Sequence, residues 1–291
     1  MLRQSDVSVL ALMGSLVLLQ QFPLAHDRLG EQIAAVSAQI ARDPANPVLF
    51  QKRGELLREV REYQQALADL DHAASLDPAM ATVDLVRARL FLDADKPQAA
   101  VDAASRFLAR QPGHVAALIT RGRARAKLGR AVAAAIDFTH ALNAQPLPDV
   151  YIERARVILV SGNGAIDEAL RGLDEGIGRL GPIVTLELEA IDLELRMTRY
   201  DAALARLDRV SIQAARKESW LARRGDILAS AGRVDEARSA YRAALASALS
   251  LPPWTQHTQA SLALIDRLHA DLAHRGVAPA SPAEGRSKGL P

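Results

Sequence analysis

Pro78, Pro112 and Pro146 stand 34 residues apart. Ala66, Ala100 and Ala134 keep the same interval, and so do Gly54, Ala88 and Gly122. A fixed period of this length marks one supersecondary unit copied along a chain. Each copy is too small to bury its apolar face alone, so stability comes from stacking neighbours. Such an array explains 291 residues with no break in composition better than one compact core does.

The contents of the period point to helices. In the copy that starts near Pro47, Phe50, Gly54 and Leu57 share a face. A turn at Arg61 and Glu62 leads to Tyr63, and Ala66, Leu70 and Ala73 follow at i, i+4 and i+7. Asp77-Pro78 closes the copy, because proline lacks an amide donor and disfavours helix in the residue before it. The copy from Val115 repeats this with Leu118, Gly122, Gly129, Ala134, Phe138, Ala141 and Pro146. Gly122 and Ala134 are where two helices touch, Phe138 is the knob beside them, and Gly129 supplies a positive φ. In the copy from Ala81, Asp95 replaces that glycine and Pro97 opens the second helix. Aromatic residues are only 4% of the chain, so the core is built from small and aliphatic side chains that suit close helix packing rather than strands.

The pattern resembles the tetratricopeptide repeat (TPR) family over about residues 26–275. The resemblance implies an all-α fold: an α-solenoid of about six helical hairpins in a right-handed superhelix, with capping helices at both ends. The units fall near 47–80, 81–114, 115–148, 149–182, 183–217 and 218–252. The fourth reads with Ala155, Leu159, Ala169 and Leu173, the fifth with Leu186, Ala190, Leu193, Tyr200, Ala203 and Leu207, both drifting from strict register. The sixth is clear again at Leu221, Gly225, Leu228, Gly232, Ala237, Tyr241 and Ala244. The caps span 26–44, an unpaired second helix, and 253–275, one closing helix with Leu262, Ile265, Leu268 and Leu272 on a stripe. Residues 276–291 read as a disordered tail.

Residues 1–25 stand apart. Arg3 precedes an apolar run from Val7 to Leu19, of the length of a secretory signal and short for a spanning helix. The expected reading is a cleaved export signal ending near Ala25, which makes the protein periplasmic or secreted. The Ala- and Arg-rich composition suggests a bacterial source. An uncleaved membrane anchor and a buried first helix are the alternatives. Cysteine is absent, which excludes disulfides, thiolate metal sites and a lipidated cysteine. The formal charge of +2 contains no block of like charges, so nucleic acid is not expected as a partner.

Catalytic chemistry is not evident. The seven histidines form no HExxH pattern, and His72 and His140 fall on the outer side of second helices. Gly162-Asn163-Gly164 lacks the Lys-Ser/Thr of a phosphate loop and reads as a turn. The pairs Asp69/Asp71 and Glu187/Glu189 read as surface charge. No catalytic residue, cofactor or metal is assigned, and the chain is read as a non-catalytic interaction module or scaffold. A membrane-tethered array and an accessory subunit of an enzyme encoded elsewhere are the alternatives. The resemblance implies that first helices line a concave face and take an extended peptide or partner helix. On that face the register places Gln51, Glu55, Leu85, Arg89, Ile119, Arg123, Lys127, Glu153, Val157, Glu187, Ile191 and Glu194. This list runs from basic to acidic. An acidic or C-terminal carboxylate segment is therefore expected near Arg89, Arg123 and Lys127.

Overall fold

A computed structural model describes residues 28–274, except 163 and 213. Among the described residues every regular element is a helix. They are α1 (28–42), α2 (Pro47–Glu59), α3 (Tyr63–Leu76), α4 (Thr82–Asp93), α5 (Pro97–Arg110), α6 (Val115–Lys127), α7 (Ala131–Ala144) and α8 (Pro148–Leu159). Then come α9 (Ala165–Leu180), α10 (Val184–Arg196), α11 (Tyr200–Ser211), α12 (Glu218–Ser230), α13 (Val234–Leu249), α14 (Pro253–Gln256) and α15 (Gln259–His274). The chain divides into two compact units, residues 1–146 with 156–161, and residues 147–155 with 162–291. Helix α8 contributes to both.

In the first unit α2 packs on α3, α4 on α5 and α6 on α7, and the first helices stack in the order α2, α4, α6. Helix α1 closes its start: Val36 and Ile40 join a core with Phe50, Leu57, Ala66, Leu70 and Val86. In the second unit α10 packs on α11, α12 on α13, and α15 on α13. Its core joins Ile191, Leu204, Leu207, Ile227, Tyr241 and Leu268.

Five first helices end in the same way. An amide three residues past the helix donates to a carbonyl five residues back: Glu62 to Leu57, Lys96 to Phe91, Arg130 to Arg125, Arg199 to Glu194 and Arg233 to Leu228, at 2.7–2.9 Å. The residue before each donor has a positive φ, 65° at Arg61, 54° at Asp95, 71° at Gly129, 55° at Thr198 and 74° at Gly232. This left-handed residue satisfies the last carbonyls and reverses the chain into the second helix. Asp95 thus does the work of Gly129, as its place in the sequence implies.

These bonds also align the hairpins residue by residue. A Cβ at Gly122 would stand 2.7 Å from the Phe138 ring, and one at Gly225 only 2.5 Å from the Tyr241 ring. In both hairpins the first helix supplies the glycine and the second the ring. The α8–α9 hairpin exchanges these roles: Tyr151 lies on the first helix, and a Cβ at Gly176 on the second would stand 2.8 Å from its ring.

Two sequence expectations need correction. The closing segment is not one helix, because Thr258 interrupts it and caps α15, its Oγ1 accepting from the Ser261 amide at 3.3 Å. Ser261, Ile265 and Leu268 form the buried stripe of α15, whereas Leu262 is exposed. In α10 the hairpin bond from Arg199 to Glu194 places Glu187, Ile191 and Glu194 where α2 has Phe50, Gly54 and Leu57. The register read from Leu186, Ala190 and Leu193 is one residue off. These three are buried too, since α10 is covered on two faces.

Candidate interaction surface

Five first helices carry the same triplet, arginine, a small residue, then a charge: Arg53-Gly54-Glu55, Arg87-Ala88-Arg89, Arg121-Gly122-Arg123, Arg154-Ala155-Arg156 and Arg224-Gly225-Asp226. Residues two apart on a helix point to nearly opposite sides. The first arginine therefore turns to the second helices, and the third residue to the other side of the row of first helices.

The first arginines hold the stack. Arg53 donates to both Asp69 oxygens at 2.7 Å and to Ser37 Oγ at 3.1 Å, so it ties α2 to its own second helix and to α1. Arg121 repeats this, donating to Asp137 at 2.8 and 3.1 Å and to Ser105 Oγ at 3.4 Å. Arg87 and Arg224 pair with Asp71 and Asp208 on the preceding second helices. Arg154 donates to the Gly172 carbonyl at 3.2 Å and to Glu175 at 2.7 Å. Hydrogen bonding to Asp69 raises the Arg53 pKa above its ordinary value. The acids read as surface charge are part of this system: Asp69 is 7% exposed. None of these arginines stood out in the sequence reading, although Arg53, Arg87 and Arg121 repeat at 34 residues beside the glycines that did.

The α10–α11 hairpin reverses the polarity. Where α3 and α7 have Asp69 and Asp137, α11 has Arg206, and the acids stand on the first helix. Arg206 reaches Asp174 at 2.7 Å and Glu187 and Glu194 at 3.3 Å, while Arg209 donates to both Glu187 oxygens at 2.9 and 3.1 Å. Burial works to lower the Arg206 pKa, but Asp174 and Glu187 outweigh it and hold the guanidinium above its ordinary value.

The third residues of the triplets remain on the outer side. In the first unit the row reads Glu55, Arg89 and Arg123 on the stacked helices α2, α4 and α6. Arg89 donates to Glu55 at 3.1 Å across adjacent first helices and is 34% exposed. Arg123 and Arg156 are exposed. In the second unit the equivalent row is Asp192, Asp226 and Arg267, with Arg267 paired to Asp226.

The predicted face is therefore partly redrawn. Gln51, which accepts from Thr82 at 2.6 Å, is half-buried, and so are Glu55, Arg89 and Ile119. Arg123 and Lys127 are exposed, with Lys127 paired to Asp95 at 2.6 Å. Leu85, Glu187, Ile191 and Glu194 are buried and present no surface. Glu153 and Val157 are half-buried, and Arg156 is exposed. In α10 that face belongs to Leu188 and Asp192. There, in the second unit, a cavity of about 390 Å³ opens between α10, α12 and α15, lined by Leu188, Trp220, Ala222, Arg223, Leu264 and Arg267. His72 and His140 are exposed, as expected. Among the described residues no group of three or more metal-ligating side chains converges, and no helix is long and apolar enough to cross a membrane. Residues 1–25 and 276–291, read as a signal and a tail, lie outside the described residues.

Stacked hairpins closed by left-handed turns, with glycine-to-ring contacts inside them, define an α-solenoid of repeated helical hairpins. Two family models match, a tetratricopeptide repeat-like domain over residues 174–263 and a tetratricopeptide repeat over residues 85–147. The chain belongs to the tetratricopeptide repeat family. It is similar in fold to the C-terminal part of a TPR repeat-containing protein from Cytophaga hutchinsonii, with a TM-score of 0.63 and 13% identity over 84% of this chain and 97% of that one. A tetratricopeptide repeat protein from Parabacteroides merdae is similar at TM-score 0.51 and 20% identity, covering 88% of this chain and 98% of that one. Pseudomonas aeruginosa pilF is similar at TM-score 0.51 and 18% identity, covering 79% and 99%. No curated protein matches the chain in sequence.

Proposed function

We propose that this protein is a non-catalytic scaffold that holds a protein or peptide partner on its row of first helices, and that the first unit takes an acidic or C-terminal carboxylate segment. The observation that carries the reading is the set of cations on the outer side of α4 and α6, namely Arg89, Arg123 and Lys127. Arginine can take a carboxylate through two parallel hydrogen bonds. The intramolecular pairs of Arg89 with Glu55 and of Lys127 with Asp95 do not close the surface. Exposed ion pairs are worth about 0.2–1 kcal/mol, so an incoming carboxylate can replace them. Affinity capture with the folded array, with and without Arg89→Glu and Arg123→Glu, tests this. A partner held equally by both proteins overturns the carboxylate reading, and retention of nothing beyond bare matrix overturns the holding function.

We also infer export of the chain, on the apolar run from Val7 to Leu19 behind Arg3. The mass of the mature protein tests it: loss of about 25 residues is expected for signal cleavage. A full-length chain in the membrane fraction supports a tether instead.

A further inference from the structure

We propose that the hollow between the end of α11 and the start of α12 is an anchor site for a partner polypeptide, taking a phenylalanine ring whose neighbour in sequence carries a carboxylate for Lys217. The hollow measures about 180 Å³ and is lined by Leu207, Ser211, Ile212, Lys217, Trp220 and Leu221. It lies away from the row of first helices. Arg224 also borders it, and this arginine turns to Asp208 on the preceding second helix. The hollow belongs to the second unit, so it is separate from Arg89, Arg123 and the carboxylate reading above.

The register sets this place apart. Five residues before the small member of the triplet, α2, α4, α6 and α8 have Leu49, Val83, Ala117 and Val150, the last three at most 2% exposed. Helix α12 has Trp220 there, half-buried and packed on the core, with the hollow still open beside it. Ile212 on the rim is 75% exposed, so covering it gains apolar burial that the fold leaves unused. Volume sets the size of the occupant. A cavity of about 150 Å³ holds one benzene ring, whereas a drug-sized molecule needs about 300 Å³ or more. One ring fits, and Trp220 offers it an aromatic neighbour. Charge sets what stands beside the ring. Arg216 is held by Glu218 and Arg224 by Asp208, but the exposed Lys217 ammonium makes no ion pair among the described residues. A carboxylate next to the ring in sequence meets this cation, and a basic neighbour is repelled.

The test uses the full chain carrying Trp254→Phe, an exposed position, so that Trp220 is the one tryptophan left to report by fluorescence. Three short peptides are titrated, one with Phe-Asp at its centre, one with Ala-Asp and one with Phe-Asn. Losing the ring should weaken binding at least about tenfold, the size expected for burying one such side chain. Losing the acid should weaken it about two- to fivefold, the range of an exposed ion pair. In Lys217→Gln the Phe-Asp and Phe-Asn peptides should bind equally, which assigns the acid to Lys217. Ser211→Phe, which fills the hollow from the end of α11, should abolish binding, and Arg89→Glu should leave it intact. Circular dichroism checks that the variants fold, and the peptide comparison in the chain with an unaltered hollow does not depend on them. Equal binding of the Ala-Asp peptide, an acid preference that persists in Lys217→Gln, or no response of Trp220 at millimolar peptide overturns the proposal. Phenylpropionate binding as tightly as the peptide also overturns it and assigns the hollow to a small carboxylate. A dimer that Ser211→Phe dissociates overturns it in favour of a second copy of this chain. Binding lost with Arg89→Glu but kept in Ser211→Phe would leave the row of first helices standing as the interaction surface and remove this inference alone.

Discussion

The Arg206 guanidinium stands 3.3 Å from the Glu187 carboxylate, and the two side chains are 9% and 0% exposed. Glu194, 6% exposed, lies at the same distance on the other side. A buried charge costs several kcal/mol unless it is paired, and removing Arg206 takes the nearest guanidinium from Glu194 and leaves Glu187 with Arg209 alone. Arg206→Met should destabilise the protein by about 3–5 kcal/mol in urea unfolding. Replacing the cluster together, with Glu187→Leu, Glu194→Leu and Arg206→Met, should recover much of that loss. A single variant as stable as the parent would show that the hub carries no such constraint.

Glycines inside helices should respond with opposite signs. At Gly225 the Tyr241 ring leaves no room for a Cβ, and the Tyr241 hydroxyl is anchored to Asp226 at 2.9 Å, so the ring cannot swing away. Gly225→Ala should cost about 1–3 kcal/mol despite the better helix propensity of alanine. Nothing lies within 4 Å of a Cβ at Gly178, in the last turn of α9. Gly178→Ala should stabilise by about 0.5–1 kcal/mol. Thermal or urea unfolding of the two variants decides whether backbone approach or propensity dominates at each site.

Thr198 holds a φ of 55° at the turn between α10 and α11. A β-branched residue is poorly suited to the left-handed region, and the equivalent Gly129 and Gly232 occupy it without that cost. Thr198→Gly should raise stability by about 0.5–1 kcal/mol, with the strain relieved exceeding the added chain entropy of glycine. Loss of stability on this substitution would mean that the Thr198 side chain contributes more than its backbone costs.

Burial pushes the Tyr151 phenol above its ordinary pKa, with the Glu175 charge adding to it against the opposing pull of Arg179 and Arg154. A group whose folded pKa is raised contributes stability that is present below its unfolded value. That contribution is lost as the pH rises through the folded value. Stability should therefore decline above about pH 10. In an absorbance titration of tyrosinate, Tyr151→Phe should remove signal from the alkaline end of the curve. Tyr151→Phe should flatten the alkaline decline, and an unchanged profile would exclude Tyr151 as its source.

The repeat was legible wherever the period was strict. Gly54, Gly122, Phe138 and Gly129 do in the structure what their spacing implied, because close approach and positive φ restrict residue type locally. Two kinds of information were not legible in the sequence. The holding arginines were visible in principle, since Arg53, Arg87 and Arg121 share the period, but charge at a helix surface normally reads as solvated. The register of α10 was hidden for a stronger reason. Its interior positions hold Glu187 and Glu194, which only make sense beside Arg206 on another helix.

The amino-acid pattern alone therefore determines a TPR array, its hairpin turns and its small-to-large contacts, because these depend on residues near in sequence and on a repeat that copies itself. Which acids are surface and which are interior was decided only in three dimensions. A carboxylate is stable in the core only where a guanidinium from another helix meets it. Arg206 meets Glu187 and Glu194 across the α10–α11 hairpin and takes them off the predicted face.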